Sequence, residues 1–251
     1  MTNIILRGCN GKMGQVITQM VEEDENTVIV AGIDLSANRM NKYPVYHSFF
    51  QCNVKADVII DFSSPKNIGE MLEFAMQKRI GIVLCTTGFS KEDLEMIDRA
   101  STVIPILRSA NMSMGINLIL KLVQEAAILL SEAGFDIEIV EKHHNKKLDA
   151  PSGTALALAD AMNEVLNNEY GYKYDRSLDR KEREKKQIGI SAVRGGTIVG
   201  EHEVIFAGTD EVIEIKHTAY SKAIFAKGAV QAAKFLPGKT AGMYQMSDVI
   251  G

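Results

Sequence analysis

"NIILRGCNGKMGQVITQMVEED" (residues 3–24) decides the fold. Its first part, 3–8, is a short apolar run that reads as a buried strand. Residues 12–24 read as a helix, with Met13, Val16, Ile17, Met20 and Val21 on one face. Between them Gly8, Gly11 and Gly14 stand in G-x-x-G-x-x-G spacing, a variant of the dinucleotide fingerprint. Glycine there permits a tight turn, lets backbone approach a pyrophosphate and allows close helix–strand contact. Free N–H groups and the helix dipole then favour the phosphate charge. A plain strand–helix turn is the bland alternative.

Outward from this unit the pattern repeats. Strands are expected at 27–34, 56–63, 81–88 and 102–107, and helices at 66–79 and 91–100. Strands apolar on both faces and separated by helices imply a parallel sheet covered on both sides. The fold class is therefore α/β, a Rossmann-like doubly wound sheet. Asp34 ends the second strand, twenty residues after Gly14, where an acid can accept hydrogen bonds from ribose hydroxyls. It would repel a 2′-phosphate, and Leu35 stands where a phosphate-binding arginine might, so NADH is favoured. Lys12 and Arg39 keep NADPH open. "CTTGF" (85–89) and "SANMSMG" (109–115) follow later strands, so Thr86, Thr87 and Asn111 are candidates for the nicotinamide ribose and amide. Turn and cap chemistry explains the same residues equally well.

Near residue 113 the pattern changes. Residues 114–133 read as one long helix and 155–167 as another. "DIEIVEKHH", "ISAVRGG", "HEVIFAG" and "EVIEIKHT" alternate apolar with polar residues, as half-buried strands do. The last three lack intervening helices and suggest an antiparallel or mixed open sheet. Residues 168–187 are charge-dense and read as a mobile surface excursion, and 223–236 are helical again. The expected organisation is a dinucleotide domain over 1–113 and 224–251, with an inserted α+β domain over 114–223 for substrate and oligomerisation.

The net charge of −4 argues against a nucleic-acid partner held by phosphate neutralisation. Cys9, Cys52 and Cys85 are far apart, without C-x-x-C spacing, which suggests thiols in a reducing cytoplasm. No basic leader is visible, and no run of about 18 apolar residues, so no membrane span is expected.

"EKHHNKKLDAPSGTA" (141–155) is the most crowded stretch of charge. Metal binding fits poorly, because adjacent histidines diverge on an extended chain and an ammonium at Lys147 repels a cation. Lys142 and Lys146 read as surface charge, and Glu141 as the close of a strand. Pro151, Ser152 and Gly153 precede a helical run whose first turn holds Thr154. A helix start preceded by a lysine and two histidines suits a substrate carboxylate. His143 or His144 can give a proton, and Lys147 can hold a carboxylate. Dinucleotide in the first domain and a small anionic acceptor in the second, with the reaction where they meet, make a coherent reductase. A dehydrogenase of another small acid and a redox-sensing dinucleotide-binding regulator are the rivals.

"GCNGKMG", "TTGF", "SANMSMGINL" and "EKHHNKKLDAPSGTA", in that order, resemble the bacterial 4-hydroxy-tetrahydrodipicolinate reductases (the dihydrodipicolinate reductase family). "VRGGTIVGEHEVIF" and "FAKGAVQAAKFL" are also similar to that family. The resemblance implies reduction of a cyclic imine dicarboxylate with NADH or NADPH in lysine biosynthesis by the diaminopimelate route. It also implies a homotetramer whose inserted domains share a sheet. It implies His143 as proton donor and Lys147 as its charge-stabilising partner. His144, Lys147, Gly153 and Thr154 are implied as carboxylate contacts. Gly8, Cys9, Asn10, Gly11, Lys12, Met13, Asp34, Cys85, Thr86, Thr87, Ser109, Ala110, Asn111 and Met112 are implied as cofactor contacts. Two positions depart from the pattern: Lys222 stands where arginine is usual, and Cys85 where glycine is common. A lysine cannot make arginine's planar two-pronged grip. His202 and His217 keep a structural reading.

Overall fold

The computed structural model describes residues 1–36, 39–109 and 111–251. The chain divides into two compact units, Met1–Met114 with Ala223–Gly251, and Gly115–Lys222.

The first unit is a seven-stranded parallel sheet. Its strands are β1 (Thr2–Arg7), β2 (Thr27–Ile33), β3 (Val45–Tyr46), β4 (Val58–Asp61), β5 (Gly81–Leu84), β6 (Pro105–Arg108) and, near the C-terminus, β12 (Gly242–Tyr244). Their spatial order is β12-β6-β5-β4-β1-β2-β3. The order turns back beside β1, as in a doubly wound Rossmann-like sheet. Successive side chains on a strand face opposite ways, and β1 shows the consequence. Ile4 and Leu6 pack with α1 (Lys12–Glu22) and α6 (Ala223–Phe235). Ile5 packs with α2 (Ile68–Lys78) and α3 (Lys91–Ser101). Covering both faces is what demanded the continuous apolar runs in the sequence. The expected strand at 102–107 starts later, because Val103 and Ile104 N–H still donate to the Ala100 carbonyl at the end of α3.

The second unit contains α4 (Met114–Glu132, whose first residue falls in the first unit), β7 (Asp136–His143), α5 (Gly153–Val165), β8 (Gly171–Lys173), β9 (Gln187–Arg194), β10 (Gly200–Ala207) and β11 (Val212–Ala219). A short helix α7 (Met246–Ile250) closes the chain in the first unit. The five-stranded sheet runs β11-β10-β7-β9-β8 and is mixed. β10 is antiparallel to β7 and β11, whereas β9 is parallel to β7 and β8. Consecutive β9 and β10 do not pair. β7 lies between them, and the turn after β9 crosses its carboxyl end, where Gly195 N–H donates to the His143 carbonyl (2.9 Å). Ile137 and Ile139 of β7 pack with Val204, Phe206, Ile188 and Ile190 against α4 and α5.

One expectation is corrected here. Residues 168–187 are not a detached excursion: β8 joins the sheet. Arg183 grips Glu138 (3.0 Å) and Asp136 (2.8 Å), and Arg176 also reaches Glu138 (2.7 Å). α4 matches a membrane span in length and composition alone, with mean hydropathy 1.5. Its Ile119, Val123 and Ala127, at helical spacing, are core residues of this unit, while Leu118 and Leu129 on other faces are exposed.

Phe206 is wholly buried, whereas Phe50 is 73% exposed. Phe206→Ala is expected to cost about 3–5 kcal/mol, and Phe50→Ala no more than about 0.5 kcal/mol. Urea unfolding midpoints check this, and equal losses would contradict the placement of the core.

Candidate active site

Two sets of predicted residues assemble, one in each unit. In the first, Gly8 ends the turn out of β1 with φ +81°, and an added Cβ would lie 2.3 Å from the Phe62 carbonyl oxygen. A Cβ at Gly14 would lie 2.2 Å from the Gly8 carbonyl oxygen. The loop can therefore lie close against β4's end and α1 only if both positions lack a side chain. Beneath it, Arg7 and Asp61 join the ends of β1 and β4 by a buried ion pair (3.1 Å), and Arg7 also donates to the Lys66 carbonyl. Burial pushes the Asp61 carboxyl up, against the opposing pull of Arg7.

Gly8, Asn10, Gly11, Asp34, Leu35 and Ser63 line a cavity of about 470 Å³. The Asp34 carboxylate accepts from the N–H of Asn10 (2.9 Å) and of Ser36 (2.9 Å). Each oxygen retains a lone pair for a further donor. The Asn10 side chain donates to the Ser36 carbonyl, fastening the glycine loop to the segment after β2. A glycine cradle, an exposed helix start and an acid at the second strand's end fit an adenine dinucleotide.

The other predicted cofactor residues divide. Thr86, Thr87 and Ser109 line a separate cavity of about 440 Å³, together with Arg108. Lys12 is exposed at the start of α1. Cys9 is fully buried, its sulfur packed against Gly32, and burial pushes its thiol up to about 11, so only its backbone faces the loop. Met13 packs against the core. Met112 is buried, with its carbonyl pressed on Gly228 of α6. Burial, with Asp61 nearby, raises the Cys85 thiol. Asn111 uses its side-chain oxygen to accept from Ser113 N–H (2.8 Å), as turn chemistry allows. Ala110 lies outside the described residues.

In the second unit the centre is Glu141. Period-two alternation puts Glu141 and His143 on the same buried face as Ile137 and Ile139. Glu141 Oε2 accepts from His143 Nδ1 (2.7 Å) and Arg194 NH1 (2.7 Å). Oε1 accepts from Ser152 N–H (2.9 Å) and Arg194 NH2 (2.7 Å). Burial alone would push this carboxyl up. The Arg194 guanidinium, His143 and the Ser152 N–H outweigh it and hold Glu141 below its ordinary value. An ionised carboxylate only accepts, so Nδ1 of His143 carries the proton and the other ring nitrogen, Nε2, is the one left to exchange. Gly200 makes room for that nitrogen: a Cβ there would sit 3.1 Å from Nε2.

His202 packs its ring edge-on to His143, with centroids 5.1 Å apart, and shares a hydrogen bond with Ser152 Oγ (3.0 Å). Burial, with His143 adjoining, lowers His202 to about 4, so it is neutral at neutral pH. Ser152 also caps α5, accepting from Ala155 N–H (3.2 Å). Gly153 opens that helix, exposed and with nothing crowding it, and Thr154 follows in its first turn. His144 is half-buried just past β7. Lys147 pairs with Asp149 (2.9 Å). Among the described residues, no cluster of three or more His, Cys, Asp or Glu could hold a metal.

Sequence reasoning missed Glu141, Arg194 and His202 as members of this cluster, and read Ser152 only as part of the helix start. Glu141 had a usable signal, two positions before His143 on an alternating strand. Arg194 and His202 are brought in only by pairing, with Arg194 opposite His143 and His202 opposite Glu141.

The sequence profile described as "Dihydrodipicolinate reductase, N-terminus" matches residues 2–112, and "Dihydrodipicolinate reductase, C-terminus" matches 115–250. The chain is 49% identical over 250 residues to a 4-hydroxy-tetrahydrodipicolinate reductase of Clostridium novyi (strain NT), covering 100% of this chain and 98% of the relative. It is 50% identical, at the same coverage, to one from Caldanaerobacter subterraneus subsp. tengcongensis. A solved structure, the dipicolinate-bound dihydrodipicolinate reductase from Paenisporosarcina sp. TG-14, superimposes with a TM-score of 0.82 at 25% identity, covering 98% of this chain and 97% of that one.

With Asp34 placed in the first cavity, Asp34→Ala is expected to weaken NADH binding more than NADPH binding. Fluorescence titration of both nucleotides checks this, and equal weakening would remove Asp34 from the ribose site.

Proposed function

The chain belongs to the dihydrodipicolinate reductase family, and on that premise we propose how its residues divide the work of the family's reaction. That reaction is the NAD(P)H-dependent reduction of 4-hydroxy-tetrahydrodipicolinate to tetrahydrodipicolinate, in lysine biosynthesis through the diaminopimelate route. Overall the substrate ring exchanges its 4-hydroxyl for hydrogen: a hydride enters, and the hydroxyl departs with a proton as water. When bound, the nicotinamide supplies the hydride.

In the first unit, the N–H groups of Gly8 to Met13 and the start of α1 hold the pyrophosphate, and Asp34 holds the adenosine ribose. Thr86, Thr87, Ser109, Ala110 and Asn111 serve the nicotinamide end, while Cys85 and Met112 shape its floor. Asp34, followed by an exposed Leu35 rather than a cation, supports a preference for NADH.

In the second unit, His143 delivers the proton from Nε2. The observation that carries this reading is the buried imidazole held at Nδ1 by Glu141 at 2.7 Å. Histidine is the usual donor near neutral pH, and a fixed Nδ1–H leaves one nitrogen for the task. Lys147 exchanges Asp149 for a substrate carboxylate and stabilises charge developing during reduction. The exchange is mild because Asp149 is well exposed and an exposed pair is worth roughly 0–1 kcal/mol. His144, the Gly153 N–H and the Thr154 hydroxyl complete the carboxylate contacts at the start of α5. A dicarboxylate substrate agrees with the dipicolinate bound by the related structure. We place the enzyme in the cytoplasm as a homotetramer. The helix-free face of the mixed sheet, which leaves Val193 and Val212 exposed, supports assembly through that face.

His143→Gln is expected to lower kcat roughly 10²–10⁴-fold with little change in cofactor affinity. Lys147→Ala should raise KM for the dicarboxylate and also lower turnover. Both are measured by supplying pyruvate, aspartate semialdehyde and the preceding synthase and following NADH and NADPH oxidation separately. Unchanged kcat in His143→Gln would sink the proton-donor role. A Lys147→Ala enzyme weakened only in NADH binding would move the anion site elsewhere.

A further inference from the structure

We infer that Glu141 is a positioning residue for the proton transfer, confining proton exchange on His143 to Nε2, and that Arg194 sets how strongly the Glu141 charge acts on that ring. The inference rests on the reading of His143 as proton donor.

Glu141 is fully buried, and its two oxygens accept four hydrogen bonds from three segments. A carboxylate has about four lone-pair sites, so this one is saturated and cannot rotate without breaking a bond. Arg194 takes two of the four sites in a forked pair, the geometry that gives a guanidinium both strength and direction. Arg194 is itself fastened by the Asp149 (2.6 Å) and Val193 (2.8 Å) carbonyls. The remaining two sites go to His143 and to the N–H of the residue that caps α5. One carboxylate thus fixes, together, the imidazole and the start of the helix proposed to hold the substrate.

The ring is fixed from the other side as well. Gly200 lies one step beyond the Glu201–Lys142 pair, opposite His143, and a Cβ there would crowd Nε2 at 3.1 Å. His202 stands against the ring edge. The titratable and charged groups of this cluster are Glu141 on β7, Arg194 on β9 and His202 on β10 against His143, with His217 on β11 and Lys147 acting on His202 and Asp149 on Arg194. His202 and His217 are both lowered by burial and contribute little charge at neutral pH. Glu141 bonds the ring and Arg194 bonds the same Glu141 oxygen, so removing either of these opposed charges should be felt there with opposite sign.

A purely structural role would tie β7 to β9 through the ion pair, with His143 an incidental neighbour. Glu141→Gln and Arg194→Met separate the two ideas, with kcat and KM measured across pH beside wild type and His143→Gln. A proton donor loses activity as pH rises. Glu141→Gln keeps the side-chain shape but removes the negative charge, so the alkaline limb of kcat should move to lower pH. Arg194→Met leaves Glu141 acting on His143 alone, so the same limb should move to higher pH. In Glu141→Gln, kcat should fall by between about 10-fold and 10⁴-fold with KM for the dicarboxylate little changed. The upper figure is the cost of losing the orienting carboxylate in a serine-protease triad. Should Arg194→Met fail to fold, Arg194→Lys keeps the positive charge and should leave the limb in place while kcat falls. Limbs that move together, or a Glu141→Gln enzyme with wild-type kcat and limb while His143→Gln is crippled, would overturn the inference. Full turnover in His143→Gln would instead overturn the proton-donor reading beneath it.

Discussion

A buried carboxylate has to be satisfied, and in the second unit Glu141 meets that demand with four hydrogen bonds. Leaving such a charge unpaired would cost several kcal/mol, and breaking one partner of a buried pair typically costs about 3–5 kcal/mol. The demand recruits Arg194 from β9, the Ser152 N–H from the start of α5 and His143 from β7 itself. Those same bonds orient the imidazole and hold the helix start beside it. The face of β7 that builds the core through Ile137 and Ile139 continues into the site through Glu141 and His143. Core and candidate site lie on one strand, in one register.

The first unit is organised by a different constraint, the close approach of backbones. Gly8 and Gly14 leave no room for side chains, so the loop after β1 is pressed against β4 and α1. Asp34 then accepts from two backbone N–H groups and stands at the wall of the cavity. Here the proposed ligand contacts are mainly N–H groups and an acid. In the second unit they are ionisable side chains. This division suits a reaction in which one unit holds a carrier of hydride and the other manages charge and a proton.

Much of this was legible because period and spacing act locally. The glycine spacing, the apolar strands and the helices over 12–24 and 91–100 each follow from neighbours in sequence, and α1 and α3 stand within two residues of those bounds. The candidate site elements set by sequence order, His143, Lys147 and the start of α5, were legible for the same reason. What was not legible depends on pairing across distance. Nothing local says that β7 separates β9 from β10, and that insertion is what sets Arg194 and Gly200 on either side of His143. Residues 168–187 read as a mobile surface excursion because their charge suggests solvent, yet Arg176 and Arg183 bind acids on β7. The long helix α4 was legible from its run, although only its helical spacing says that Ile119, Val123 and Ala127 are the buried face.

The central claim is that His143 keeps its Nδ1 proton on Glu141 and exchanges through Nε2. Long-range nitrogen–proton correlation spectra of the protein labelled with nitrogen-15 at histidine report this directly. At a pH where His143 is neutral, the account predicts an Nδ1–H tautomer with a bare Nε2. A neutral His143 protonated on Nε2 would contradict it.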